Sequence, residues 1–108
     1  MKNINTYENY YFLGIGGIGM SAIARHFKKA GKRVLGYDKT NTPLTQELEK
    51  EGLEVHYTDS PELIATQNIS PENTLVIRTP AVPVDMNEWL YFQNNGFKII
   101  KRAEVLGK

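Results

Sequence analysis

The chain has 108 residues, 41% of them apolar and 23% charged, with a formal charge of +1. A chain of this size fits one domain that buries roughly two-thirds of its unfolded surface, and its composition is that of an ordinary globular protein. The near-zero charge leaves no electrostatic footprint for nucleic acid, and no stretch approaches the roughly 20 apolar residues of a membrane span. The absence of cysteine excludes disulfides, thiolate zinc sites and a cysteine nucleophile, and the N-terminal MKNINTYENYY lacks a signal-peptide core. These features together point to a cytoplasmic protein.

Tyr10 to Ile15 is an apolar and aromatic run that suits a strand buried on both faces. Met20, Ile23, Ala24, Phe27 and Ala30 follow at helical spacing, with Arg25, Lys28 and Lys29 on the opposite face and Gly31 placed to stop the helix. Arg33 to Tyr37 reads as a second strand. Thr42-Pro43 then makes an N-cap and first-turn proline for a helix with Leu44 and Leu48 as its buried stripe, ended by Gly52. Leu53 to Tyr57 is a short third strand, and Ser60-Pro61-Glu62 repeats the cap signal ahead of a short helix containing Leu63 and Ile64.

Thr74 to Ile77 is the next β-branched run, followed by RTPAVPVD, a proline-shaped loop. Asp85 with Glu88 three residues later resembles a capping box for a helix through Trp89, Leu90 and Phe92, all three read as core, which Asn95-Gly96 ends. Phe97 to Ile100 is a fifth strand, and Lys101 to Leu106 has a helical pattern. Five strands alternating with helices predict an α/β fold, Rossmann-like, with an open, mainly parallel five-stranded sheet and helices on both faces. Ligands of such sheets sit beyond the carboxyl ends of the strands. Three segments should meet there: the loop at 14–21, the end of strand two at Asp38, and the loop at 78–85.

Gly14-Ile15-Gly16-Gly17-Ile18-Gly19 satisfies G-x-G-x-x-G between a strand and a helix, and Asp38 lies 19 residues beyond Gly19 at the end of the second strand. In that motif Gly14 permits the tight turn, Gly16 lets backbone approach a pyrophosphate, and Gly19 allows close packing of helix on strand. Backbone N–H groups near Ile18 to Ser21 then face the anion. A helix N-terminus contributes about 0.3–1 kcal/mol, while millimolar affinity already requires about 4 kcal/mol, so the sugar and base must be held as well. Asp38 suits a ribose hydroxyl, or else caps the turn at Lys39-Thr40-Asn41; the glycines suit a diphosphate, or else form a packing turn.

Other residues carry blander readings. His26 sits on the polar helix face, and His56 near a strand end has no second histidine or carboxylate at ligand spacing, so no metal site is expected. Ser21 lacks a histidine partner for nucleophilic chemistry and suits a cap or a phosphate contact. Arg78 and Arg102 each fit either a phosphate contact or a surface arginine.

LGIGGIGMSAIA, followed by GYD, TPLTQELEKEG, LVIRTPAV and IIKRAEVLG, resembles the N-terminal domain of the Mur ligases from Tyr11 to Gly107. The resemblance is strongest to the member that joins L-alanine to UDP-N-acetylmuramate. It implies a three-domain cytoplasmic ligase of peptidoglycan synthesis in which this domain holds the UDP part of the sugar, a central P-loop domain binds ATP and magnesium, and a third receives L-alanine. The lactyl carboxylate is phosphorylated by ATP, and the amine of L-alanine attacks the acyl phosphate.

By the same likeness Gly16, Gly17, Ile18, Gly19, Met20 and Ser21 would face the diphosphate, Asp38 the uridine side, and Thr79, Pro80, Ala81 and Val82 the nucleotide from the neighbouring loop; Gly14 of the turn and Arg102 complete the expected UDP-sugar site. The chain departs from the family pattern at Tyr37, often serine, and at Arg78-Thr79-Pro80, where Ser-Ser is common ahead of Ala81. It has no G-x-x-x-x-G-K-[ST] motif, so the 108 residues are expected to bind a UDP-sugar without catalysing ligation, with no cofactor, metal, nucleic acid or membrane of their own. Three alternatives stay open: a related ligase that recycles murein tripeptide, an NAD-binding module sharing the fingerprint, and a structural domain with a vestigial loop.

Overall fold

The structure, a computed structural model, describes residues 4–17, 19–83, 85–102 and 105. After a 3-10 turn at Ile4–Thr6, the elements run β1 (Asn9–Leu13), α1 (Met20–Lys29), β2 (Arg33–Tyr37), α2 (Pro43–Lys50), β3 (Glu54–His56), α3 (Pro61–Ala65), β4 (Thr74–Arg78), α4 (Asn87–Asn94) and β5 (Lys98–Lys101). The five strands form one sheet in the order β3-β2-β1-β4-β5, every pair parallel. The expected architecture is therefore present. Residues 103, 104 and 106, within the expected final helix, lie outside the described residues.

Central β1 is buried at all five positions, which is why its sequence shows no polar alternation. Its side chains divide between two cores. Tyr10 and Phe12 pack with Ile23, Ala24 and Phe27 of α1 and Leu48 of α2, while Tyr11 and Leu13 pack with Ile64 of α3 and Trp89 and Phe92 of α4. The Tyr10 ring stacks on Phe27, centroids 3.8 Å apart, and its hydroxyl donates to the Ile4 carbonyl. Helices thus cover both faces.

Local signals placed most boundaries. Thr42 caps α2 through Thr45, each side chain accepting from the other's backbone N–H, with Pro43 at the first turn. Some expectations are corrected. β1 ends at Leu13, so Gly14 and Ile15 belong to the turn. Thr45 rather than Leu44 joins Leu48 as the buried face of α2. Leu90 is 39% exposed, because the buried face of α4 is made by Glu88, Trp89 and Phe92. The capping box of Asp85 and Glu88 does not form. α4 starts at Asn87, and Asp59 caps it, accepting from the N–H of Asn87 and of Glu88, both at 2.8 Å.

Burial pushes the Tyr10 phenol from 10.0 up to about 12. A phenol raised in the folded state stabilises fully below the unfolded value and loses that contribution as pH climbs through the folded one. The denaturant midpoint of the chain should therefore fall as pH rises from 10 to about 12, and Tyr10→Phe should flatten that slope. Parallel slopes for the two proteins would show that Tyr10 is not its source.

Candidate functional site

β1 and β4 lie side by side at the point where the strand order reverses, so the loops that leave their carboxyl ends diverge to opposite faces and open a crevice. A cleft of about 580 Å³ occupies that place, within the usual size of small-molecule sites. It is lined from the glycine loop by Gly14, from the end of β2 by Tyr37, Asp38 and Lys39, and from the β3–α3 connection by Asp59. The β4–α4 loop adds Thr79, Ala81, Val82, Pro83, Asp85 and Met86. The three segments singled out in the sequence meet here.

The glycine loop is fixed by the end of β2. Gly14 and Ile15 donate their N–H groups to the Tyr37 carbonyl at 2.8 and 3.0 Å, and Gly16 donates to Asp38 Oδ2 at 2.7 Å. The other oxygen, Oδ1, accepts from the Thr40 N–H at 3.0 Å. Asp38 closes the turn at residues 38–40, as its capping reading expected, and it also borders the cleft. Each oxygen keeps a further lone pair for a donor.

The glycines are dictated by close neighbours. A Cβ on Gly16 would lie 2.8 Å from Thr45 Cγ2 and 2.9 Å from Asp38 Oδ2, so the space that the motif reserves for an approaching ligand is lined first by the protein's own side chains. Gly19, at φ +80°, is the N-cap of α1, and its Cβ would lie 2.9 Å from Arg102 Nη1. Gly19 therefore seats the Arg102 guanidinium rather than a strand. At Gly14 the neighbour is Thr79, which brings the β4–α4 loop against the turn.

Gly17 donates to the Gly14 carbonyl and Met20 to the Gly17 carbonyl, each at 3.0 Å. The amides of Gly19 and Ser21 have no acceptor among the described residues and stand at the start of α1 beside Arg102. The start of α1 thus presents positive charge and, among the described residues, unengaged donors. The cleft itself carries the carboxylates of Asp38, Asp59 and Asp85 with one cation, Lys39, a lining suited to hydroxyl and N–H donors.

The remaining candidates separate. Met20 is fully buried in the core beneath α1 and does not line the cleft, and Pro80 is exposed beside it. Ile18 lies outside the described residues. The two arginines part company: Arg102 sits over Gly19, whereas Arg78 stacks its guanidinium 4.2 Å from the Trp89 ring centroid. His56, which has no carboxylate at ligand spacing in the sequence, has Glu88 Oε2 at 2.7 Å from its Nε2 in the fold. Among the described residues no group of three or more His, Cys, Asp or Glu could hold a metal. Sequence reasoning missed Asp59 and Met86 as cleft residues, since neither belongs to a local motif.

Comparison with known proteins finds relatives of the sequence and of the fold. The model of the Mur ligase family, catalytic domain, matches residues 9–108. A UDP-N-acetylmuramate–L-alanine ligase of Flavobacterium johnsoniae is 57% identical over 105 residues, which cover 97% of this chain and 23% of the relative. The crystal structure of the UDP-N-acetylmuramate–alanine ligase of Thermotoga maritima superposes with a TM-score of 0.78 at 35% identity, over 91% of this chain and 21% of that one. A UDP-N-acetylmuramate:L-alanyl-γ-D-glutamyl-meso-diaminopimelate ligase from Neisseria meningitides gives the same TM-score at 23% identity, over 93% and 30% of the two chains, and shows the fold alone. The chain spans less than a quarter of the length of the curated relative.

Valine at position 16 has no room between Thr45 and Asp38. Gly16→Val should destabilise the chain by about 1–3 kcal/mol, the usual cost of overpacking, and detach the loop from β2. Urea denaturation measures the first effect, and the Thr40 amide resonance reports the second. An unchanged midpoint would mean that both neighbours withdraw freely.

Proposed function

The chain belongs to the Mur ligase family, and from that premise we propose that it forms the domain holding the UDP part of UDP-N-acetylmuramate for a ligase of peptidoglycan synthesis that joins L-alanine to that sugar. The observation that carries this reading is the convergence of Gly14 of the glycine loop, Asp38 and Thr79, Ala81 and Val82 on one cleft, with the Arg102 guanidinium held over Gly19 at the start of α1. The diphosphate belongs at the start of α1, where the Gly19 and Ser21 amides and the Arg102 guanidinium supply donors. The nucleoside belongs in the cleft, where Asp38 accepts from a ribose hydroxyl. Thr79, Ala81 and Val82 form the opposite wall.

Anchoring the nucleotide positions the far end of the sugar, which carries the lactyl carboxylate, away from this domain. In the whole protein ATP with magnesium phosphorylates that carboxylate, and the amine of L-alanine displaces phosphate to form the amide. Those reactants are handled by parts of the protein other than these residues, which contain no G-x-x-x-x-G-K-[ST] motif. The 108 residues alone therefore bind without ligating. A cytoplasmic location accords with such substrates, and no helix among the described residues is long and apolar enough to cross a membrane.

Titration of the chain with UDP-N-acetylmuramate, followed by amide NMR, should shift residues of the glycine loop, Asp38 to Thr40 and 79–82, with NADH much weaker. Arg102→Ala should weaken the UDP-sugar about tenfold, at the lower edge of what a charge-assisted hydrogen bond contributes. Shifts produced by NADH alone, with UDP ligands silent at millimolar concentration, would sink the proposal.

A further inference from the structure

Beneath the cleft wall lies a carboxylate that the ligand reading does not use. Glu88, in the first turn of α4, is wholly buried. Its Oε1 accepts from the Tyr11 hydroxyl at 2.6 Å, and its Oε2 lies 2.7 Å from His56 Nε2 and accepts from the Ser60 N–H at 3.0 Å. A buried carboxylate persists only where donors replace its lost water. Here three donors come from three different segments: β1, β3 and the start of α3.

The proton positions follow from the geometry. Burial first, and the neighbouring Glu88 carboxylate next, hold the Tyr11 phenol well above its usual range, so Tyr11 is a donor and spends its hydrogen on Oε1. Its oxygen also lies 3.0 Å from His56 Nε2. That nitrogen therefore faces two acceptors, the Tyr11 oxygen and Glu88 Oε2, and must carry a hydrogen. The tautomer of His56 is fixed by its partners.

Two residues carry this cluster to the cleft. Asp59, next to Ser60, caps α4 by accepting from the Asn87 and Glu88 amides at 2.8 Å, and both Asp59 and Met86, the residue before α4, line the cleft. The β3–α3 connection and the start of α4 are thus tied to each other twice, by Asp59 reaching for the helix amides and by Glu88 reaching back to Ser60 and His56. We propose that Glu88 is a positioning residue: with Tyr11 and His56 it sets the spacing between these two segments and so fixes the cleft wall formed by Asp59, Asp85 and Met86. Its effect on binding rests on the nucleotide reading of the cleft, whereas its effect on the wall does not.

Glu88→Gln keeps the size of the side chain and an acceptor, but replaces one carboxylate oxygen with an NH₂ group that cannot accept. Tyr11→Phe removes a single donor and serves if the first variant does not fold. Amide hydrogen exchange and UDP titration of the 108-residue chain read both consequences. Positioning predicts exchange at residues 87 and 88 about tenfold faster than in the parent, while β1 and β2 amides change little, and a UDP dissociation constant raised about tenfold. Uniform acceleration across all core amides with an unchanged dissociation constant overturns the proposal, because Glu88 would then only stabilise the fold. If the parent chain binds no UDP, the nucleotide reading fails by itself, and the local or uniform pattern of exchange still decides the positioning role.

Discussion

Three consecutive amides hang from the end of one strand, and the site is built around that attachment. β1 and β2 are parallel neighbours with Leu13 opposite Tyr37, so the chain leaving β1 emerges beside the chain leaving β2. The Tyr37 carbonyl takes the Gly14 and Ile15 amides, and the Asp38 carboxylate takes that of Gly16. A turn that would otherwise sample many conformations is held against a buried sheet, which removes the ordering cost from any later binding step. The same attachment orients Asp38, whose two oxygens are braced by backbone donors 24 residues apart in the chain.

The opposite wall depends on a second attachment. Thr79 packs against Gly14, and Asp59 and Glu88 join the β3–α3 connection to α4. The cleft is therefore framed by loops that are each tied to another element: the glycine loop to the end of β2, and the β3–α3 connection to the start of α4. Charge is distributed to match: Arg78 is drawn aside by Trp89, and Arg102 alone of the two candidate arginines remains at the glycine loop. Arg102 stands at the α1 start, and the carboxylates of Asp38, Asp59 and Asp85 line the cleft beside Lys39.

What could be read from the sequence was what neighbouring residues encode. The Thr42-Pro43 cap, the Met20, Ile23, Ala24 and Phe27 stripe and the apolar run of β1 are local patterns, and each gave its element to within a residue or two. The reading failed where a local pattern competed with a distant partner. Asp85 and Glu88 had the spacing of a capping box, but Asp59 supplies the cap, and Glu88 is more strongly engaged by Tyr11, 77 residues away. His56 looked isolated for the same reason. Leu90 was read as core from its apolarity, although its place on an eight-residue helix turns it to solvent. The fingerprint located the cleft through Gly14 and Asp38, yet it gave no hint that Gly16 is glycine because Thr45 and Asp38 crowd it.

That crowding alters how the glycine motif should be understood energetically. A loop whose amides all pointed at a ligand could supply most of its phosphate affinity, but the amides of Gly14, Ile15, Gly16, Gly17 and Met20 are already engaged within the protein. The donors left at the start of α1 are few, and a helix terminus adds only about 0.3–1 kcal/mol. On the nucleotide reading proposed above, phosphate recognition would lean on Arg102, and discrimination among nucleotides on the walls of the cleft. Apart from Gly14, those walls are built from residues outside the motif: 37–39, 59, 79, 81–83, 85 and 86. Chains that share G-x-G-x-x-G can therefore differ wholly in what they bind: the glycines fix the turn, and the residues that the fold brings up to it choose the ligand.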